Sequence, residues 1–275
     1  MSSPLLRLYP GPTARVSLTG RYLAHELRHY GAIGRPFVYA NFLVSLDGRA
    51  AVADPRTGRH RVPPAIANAR DWRLYMELAA QADALLISDK LLRALAQGRY
   101  AEMVDLGQQG LEDLIQWRRR RGLLAQPAVA AISPELGLPV PVKGGFFPDE
   151  VLVLTTGEAP ADRARDLEQA GVEVVRAGPG PRLTGREITG ALAERGHVIL
   201  YSLAGPGVLR TLVASGEVNR LYLTTALSLL GGEGYDTLTR GPALTPPAGF
   251  RLSELHLDVL APEGSSQLFH TLIRA

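Results

Sequence analysis

The chain has 275 residues, 46% of them hydrophobic, with Lys+Arg 30 against Asp+Glu 27 and a formal net charge of +3. That length and apolar content fit one large α/β domain or two small ones, and so small a charge gives a nucleic-acid partner no footing. There is no cysteine, which excludes disulfides, thiolate metal sites and a cysteine nucleophile; the six histidines show no ligand spacing, so no metal is expected.

Residues 1–35 read as an N-terminal extension. Pro4, Pro10, Gly11 and Pro12 predict irregular chain, and 21–30 predicts a short helix stopped by Gly31 and Gly34. The first seven residues lack the ordered regions of a signal peptide, and no apolar run is long enough to span a bilayer. A cytoplasmic chain without a membrane partner is expected.

Residues 37–46 form an apolar, aromatic run suited to a strand buried on both faces. Asn41 and Ser45 interrupt it four residues apart, which in a strand puts them on one face. Asp47-Gly48 then predicts a tight turn. The loop at 54–64 is basic through Arg56, Arg59, His60 and Arg61; it is either an anion-binding loop or simply a solvated one. Asn68 is a candidate N-cap for an amphipathic helix over 68–81, with Asp71 favourable to the helix dipole.

Strands are predicted at 84–88, 127–132, 151–155, 172–175 and 197–201. Helices are predicted at 89–97, 111–121, 161–170 and 185–195, the last opened by a Thr184/Glu187 capping box. The basic run Arg118 to Arg121 reads as a solvated helix end, and 139–148, rich in Pro and Gly, as a surface excursion. Leu203-Ala204-Gly205-Pro206-Gly207 followed by a helix over 208–215 has the strand–glycine turn–helix order that binds phosphate, or equally a turn that caps a packed helix. A strand at 220–225 and a loop at 229–234 follow. Leu255, Leu257 and Val259 then alternate with Glu254, His256 and Asp258 as a half-buried strand, which pairs with 267–274 through a turn at 262–265. The alternation predicts an α/β domain, mostly parallel, finished by a C-terminal antiparallel hairpin.

Ser45-Leu46-Asp47-Gly48-Arg49 resembles the opening of the reductase domain of bifunctional riboflavin-biosynthesis deaminase/reductases, the pyrimidine reductase family. Residues 81–87, 151–156, Ala204-Gly205-Pro206 and Leu229-Leu230-Gly231-Gly232 are similar to later stretches of that domain, in the same order, over 36–275. The resemblance implies a three-layer, dihydrofolate-reductase-like fold and a homodimer. It also implies NADPH-dependent reduction of the ribosyl group of an aminopyrimidine phosphate, of the 5-amino-6-(5-phosphoribosylamino)uracil reductase type. By carry-over, Val44, Ser45, Ser88, Thr155, Ala204, Gly205, Pro206, Gly207 and Val208 lie along the cofactor. Asp47 and Asn41 are the candidate catalytic residues, and Arg59 and Arg61 the candidates for a small-molecule substrate's phosphate. Asp47 either acts on substrate or only holds its turn.

Ala79, Leu91 and Leu203 stand where the family usually has Arg, Thr and Glu, and Asn41 replaces a strand lysine. The zinc deaminase domain that often precedes this reductase is not found in the sequence, so a stand-alone reductase is expected. The competing expectation is a non-catalytic nucleotide- or pterin-binding protein of the same fold.

Overall fold

The computed structural model describes residues 4–54, 56–96, 104–138, 150–261 and 265–275. The expected excursion at 139–148, most of the turn at 262–265 and the end of the helix at 89–97 lie outside them. In chain order come β1 (Leu5–Tyr9), β2 (Ala14–Val16), two 3₁₀ turns (Leu23–His25 and Leu27–His29) and β3 (Phe37–Ser45). A short hairpin, β4 (Ala51–Ala53) and β5 (His60–Arg61), leads to α1 (Ala69–Gln81), β6 (Ala84–Ser88), α2 (Asp89–Ala96) and α3 (Glu112–Arg119). Then follow β7 (Ala128–Ile132), β8 (Val151–Thr156), α4 (Ala161–Gln169), β9 (Glu173–Gly178), α5 (Gly185–Ala193), β10 (Ile199–Ser202) and α6 (Pro206–Ala214). The chain ends with β11 (Val218–Ala226), β12 (Tyr235–Asp236), β13 (Phe250–Asp258) and β14 (Gln267–Arg274).

Eleven strands make one sheet in the order β2-β1-β13-β14-β11-β3-β10-β6-β7-β8-β9. The run from β11 to β9 is parallel, and β14 and β13 close it antiparallel, as the alternation predicted. Each face carries its own core. Tyr39, Tyr201 and Tyr222 pack under α1, α3 and α4 on one side; Val38, Leu86 and Leu200 pack under α5 and α6 on the other. Three layers follow, with β3 and β10 central and buried on both sides. Tyr39 and Tyr201 stack at 4.7 Å, and the Tyr39 hydroxyl donates to the Leu78 carbonyl, which seats α1 on its face.

Local signals account for the caps. Asn68 accepts from the amides of Arg70 and Asp71, and Thr184 and Glu187 form the capping box. Three expectations are corrected. First, 5–9 is not irregular: β1 pairs with β13 at Leu6↔Leu257, and 21–30 forms two 3₁₀ turns rather than one helix. Glu77 and Gln81, buried on α1, hold this segment by accepting from the amides of Tyr22 and Leu27. Second, the basic run is a solvated helix end only from Arg119 onward, where Arg119, Arg120 and Arg121 are exposed. Arg118 is 1% exposed and donates to the carbonyls of Ala80, Ala82 and Leu124, while Arg121 lies over the Trp117 ring. Third, β13 turns its polar residues inward. His256 and Asp258 are fully buried, Asp258 paired with Arg70, while Leu255 and Leu257 stay half-buried.

Candidate active site

Parallel strands present their C-terminal ends together, and ligands of open α/β sheets sit along that edge. The glycine turn lies there, after β10. Gly205 is the N-cap of α6 and Pro206 its first residue, which leaves the helix's positive end facing outward without a side-chain cap. A Cβ at Gly205 or Gly207 meets nothing within 4 Å, so space for a ligand lies against bare backbone. Ala204 is buried beneath the turn, Val208 packs on the core under α5 and α6, and the Arg240 amide donates to the Pro206 carbonyl at 3.2 Å. Further along the edge, Ser88 Oγ accepts from the Leu91 amide at the start of α2, and Thr155 Oγ1 donates to the Pro134 carbonyl. A cleft of about 290 Å³ opens past Thr155, lined by Pro134, Glu135, Thr156, Glu158 and Arg182 among others.

At the end of β3 the Asp47 carboxylate is a hub. It accepts from Ser45 Oγ, from the amides of Leu230 (3.2 Å) and Gly231 (2.9 Å), and from the Arg49 guanidinium. These donors, Ser45 first and the Gly231 amide next, hold the carboxyl down at about 2. Gly48 at φ +79° closes the turn, with its amide on the Ser45 carbonyl at 2.9 Å. Arg49 reaches on to the Gly232 carbonyl and lies 4.5 Å from the Tyr235 ring centroid. One residue thus ties the β3 turn to the 228–235 loop. The β4–β5 hairpin beyond it carries the exposed Arg59 and Arg61, the latter paired with Asp54 at 2.9 Å. Val44 is buried on the opposite face of β3 from Ser45.

Asn41 lies on the α1 side of β3, paired with Tyr222 of β11 and beside the Tyr201 hydroxyl. Tyr201 is fully buried, and the Asn41 side chain is the polar group at its hydroxyl. Over this strip sits Asp71, in the first turn of α1 and 9% exposed. The Thr224 hydroxyl of β11 donates to Asp71 Oδ1 at 2.7 Å. Burial pushes the Asp71 carboxyl up to about 6, against the one lowering hydrogen bond from Thr224. Trp72 and Tyr75 stack at 5.1 Å, with Tyr75 5.8 Å from Tyr201.

Sequence reading had given Asp71 only a role at the helix dipole. Its partner Thr224 is far away in sequence, and no local pattern joins the two. The three departures from the expected pattern are apolar here: Ala79 is fully buried, and Leu91 and Leu203 pack against the core under α1, α3 and α4.

Among the described residues no group of three metal-ligating side chains occurs, and no helix is long and apolar enough to cross a membrane. The residues fit a dinucleotide: bare glycine backbone at a helix N-terminus meets its diphosphate, and Ser202 Oγ, buried and unpartnered, lies just before the turn.

Comparison with known proteins accords with this geometry. No curated protein matches the chain. A pyrimidine reductase-like protein from Corynebacterium diphtheriae superposes with a TM-score of 0.65 at 22% identity, over 91% of this chain and 98% of that one. Acinetobacter baumannii RibD superposes at 0.60 and 17% identity, over 88% of this chain and 58% of that one. The Saccharomyces cerevisiae riboflavin biosynthesis reductase Rib7 does so at 0.55 and 15%, over 92% and 99%. These likenesses establish the shared dihydrofolate-reductase-like fold. The model of the RibD C-terminal domain matches residues 36–274, nearly the whole chain after the extension, and the chain belongs to that family.

Proposed function

We infer that the chain is a nicotinamide-dependent reductase of pyrimidine-reductase type, acting on the ribosyl group of an aminopyrimidine phosphate in riboflavin biosynthesis or on a related substrate. NADPH is the cofactor this reading takes. The carrying observation is the open glycine turn at the N-terminus of α6, one strand away from the polar end of β3. When bound, the cofactor supplies hydride, and the chain supplies orientation and electrostatics. The amides and the positive end of α6 hold the diphosphate. Ser45, Val44 and Asn41 lie toward the nicotinamide and substrate, Ser88 and Thr155 toward the adenosine, and Arg59 and Arg61 toward the substrate phosphate. Asp47, a carboxylate at any pH above about 2, carries no proton to donate at neutral pH, and its part is to hold the β3 turn against the 228–235 loop.

A cytoplasmic homodimer goes with this reading, and the half-open leucines on the outer face of β13 support the pairing. Light scattering is expected to give twice the 29.6 kDa chain mass; a monomer at all concentrations removes the dimer. The second reading, a nucleotide- or pterin-binding protein without turnover, is favoured by the apolar Ala79, Leu91 and Leu203.

NADPH at a hundredfold over its Kd is expected to stabilise the fold by about 2.7 kcal/mol, read as a rise in melting temperature. Gly205→Asp, which sets a carboxylate against the diphosphate, should abolish the rise. No shift with NADPH or NADP⁺ at millimolar concentration would remove the cofactor. A shift without oxidation of NADPH across aminopyrimidine and pterin substrates would favour the second reading.

A further inference from the structure

We propose that Arg240 is the cation that meets the dinucleotide diphosphate at the glycine turn. It lies outside every stretch by which the chain resembles its family. The proposal rests on the reductase reading above and adds a side chain to the cofactor site of that reading. Charge opens the argument. Each phosphate of the diphosphate is ionised, and a helix N-terminus supplies only about half a positive charge. α6 has no side-chain cap, and its first four residues, Pro206 to Leu209, carry no cation. Ser202 Oγ, buried and unpartnered just before the turn, adds a hydroxyl but no charge. The site therefore takes its neutralising charge from another element.

The segment after β12 brings one. It runs from Asp236 back to α6 and is fixed there. The Arg240 amide donates to the Pro206 carbonyl at 3.2 Å, and the Arg210 guanidinium of α6 donates to the carbonyls of Pro242 and Ala243. The approach is close: a Cβ on Gly241, which sits at φ +132°, would lie 2.7 Å from Arg210 Cδ. Arg240 is thus rooted beside the residue that opens α6. Its side chain is 75% exposed and meets Asp236 Oδ1 at 3.4 Å, an exposed ion pair of a kind that contributes little. Asp236 is engaged more closely on its other oxygen, 2.6 Å from His60 Nδ1 on β5. Arg49 and Arg210, which also lie at this end, are spent: Arg49 on Asp47 and the Gly232 carbonyl, Arg210 on its two carbonyls. The backbone therefore holds Arg240 at the turn while its charge stays available. A guanidinium fork matches phosphate oxygens bidentately, and two anionic phosphates outcompete one shared carboxylate. Asp236 is the resting partner. Its carbonyl accepts from the Ala50 amide at 2.8 Å, which ties the segment to the strand that follows the β3 turn.

The test is calorimetric titration of the full chain with three probes. NADP⁺ is the first. The second, 2′-phospho-ADP-ribose, keeps the diphosphate without the nicotinamide, and the third, adenosine 2′-monophosphate, lacks the diphosphate. In Arg240→Gln the first two should bind weaker by about tenfold or more, the scale of charge-assisted hydrogen bonds to an anion. Adenosine 2′-monophosphate should bind as it does to the wild type. Arg240→Lys should recover part of the loss, because the charge stays and the fork goes. The side chain is exposed, so both variants should melt with the wild type when no ligand is present. Wild-type affinity of Arg240→Gln for the two diphosphates, an Arg240→Lys no better than Arg240→Gln, or an equal loss for adenosine 2′-monophosphate overturns the proposal and leaves the reductase reading standing. A wild type that binds neither diphosphate removes both.

Discussion

Two carboxylates flank the end of β3 and differ in almost every physical respect. Asp47 meets a hydroxyl, two backbone amides and a guanidinium, and its carboxyl is drawn down to about 2. Asp71 is buried against one hydroxyl and is pushed up to about 6. The first is saturated and acts as a fixed anchor between turn and loop. The second is under-satisfied and close to the pH at which its charge is lost. Environments that push the values of two acids apart are how a protein separates structural from chemical roles. The residue that stands in the family-like motif is the one tied to its turn and loop by four donors, and the residue that no motif marks is the one pushed toward neutrality by burial.

The largest expected effect comes from removing the charge of the under-satisfied acid. Asp71→Asn should lower kcat/KM by roughly a hundredfold, the scale of losing two charge-assisted hydrogen bonds to substrate. NADPH affinity should stay unchanged, because the glycine turn belongs to another strand. A loss below about threefold in steady-state kinetics would place Asp71 outside the site.

Next in size is the pH dependence of stability, where Asp71 opposes His256. His256 is wholly buried, neither ring nitrogen has a hydrogen-bond partner among the described residues, and burial lowers it from 6.5 to about 4. The unfolded imidazole therefore takes a proton first, and stability is lost as pH falls from about 6.5 to 4, by on the order of 3 kcal/mol. Asp71 has the opposite sign. Its folded form takes a proton first, so stability is gained as pH falls through 6 toward 3.8, by a similar amount. Urea denaturation of the wild type between pH 6 and 4.5 should therefore be nearly flat. In Asp71→Asn it should fall steeply with pH, and parallel curves for the two proteins would refute the assignment of Asp71's raised value.

The smallest effect on rate is expected at the anchor. Asp47→Asn keeps an oxygen for Ser45, Leu230 or Gly231, and Asn-Gly still makes the turn, so turnover should fall by less than about tenfold. The Leu230 and Gly231 amides should exchange hydrogen faster, because their charged acceptor is gone. A loss of about a hundredfold, the scale of a missing proton-transfer group, would return the catalytic role to Asp47.

Much of this fold was legible because its signals are short-range. The Asp47-Gly48 turn, the Asn68 cap and the Thr184/Glu187 box each lie within four residues, and the strands under them are apolar on both faces. What escaped depends on contacts distant in sequence. β1 is a strand only because β13 is there to pair with it, and Arg118 is buried only because the end of α1 offers it carbonyls. β13 turns His256 and Asp258 inward because Arg70, Glu254 and the N-terminal segment make that side polar, so apolar alternation pointed to the wrong face. The glycine turn was legible as a pattern, and its open space became visible only in three dimensions. Asp71 was legible only as a helix-dipole residue, since Thr224 reaches it from a strand distant in sequence.

The most direct test of the two-carboxylate account is the pH dependence of kcat/KM for NADPH oxidation with an aminopyrimidine substrate, in the wild type, Asp71→Asn and Asp47→Asn. The account predicts an inflection near pH 6 in the wild type, kept in Asp47→Asn and absent from Asp71→Asn. A flat wild-type profile between pH 5 and 8, an inflection that survives Asp71→Asn, or no NADPH oxidation at any pH would contradict it.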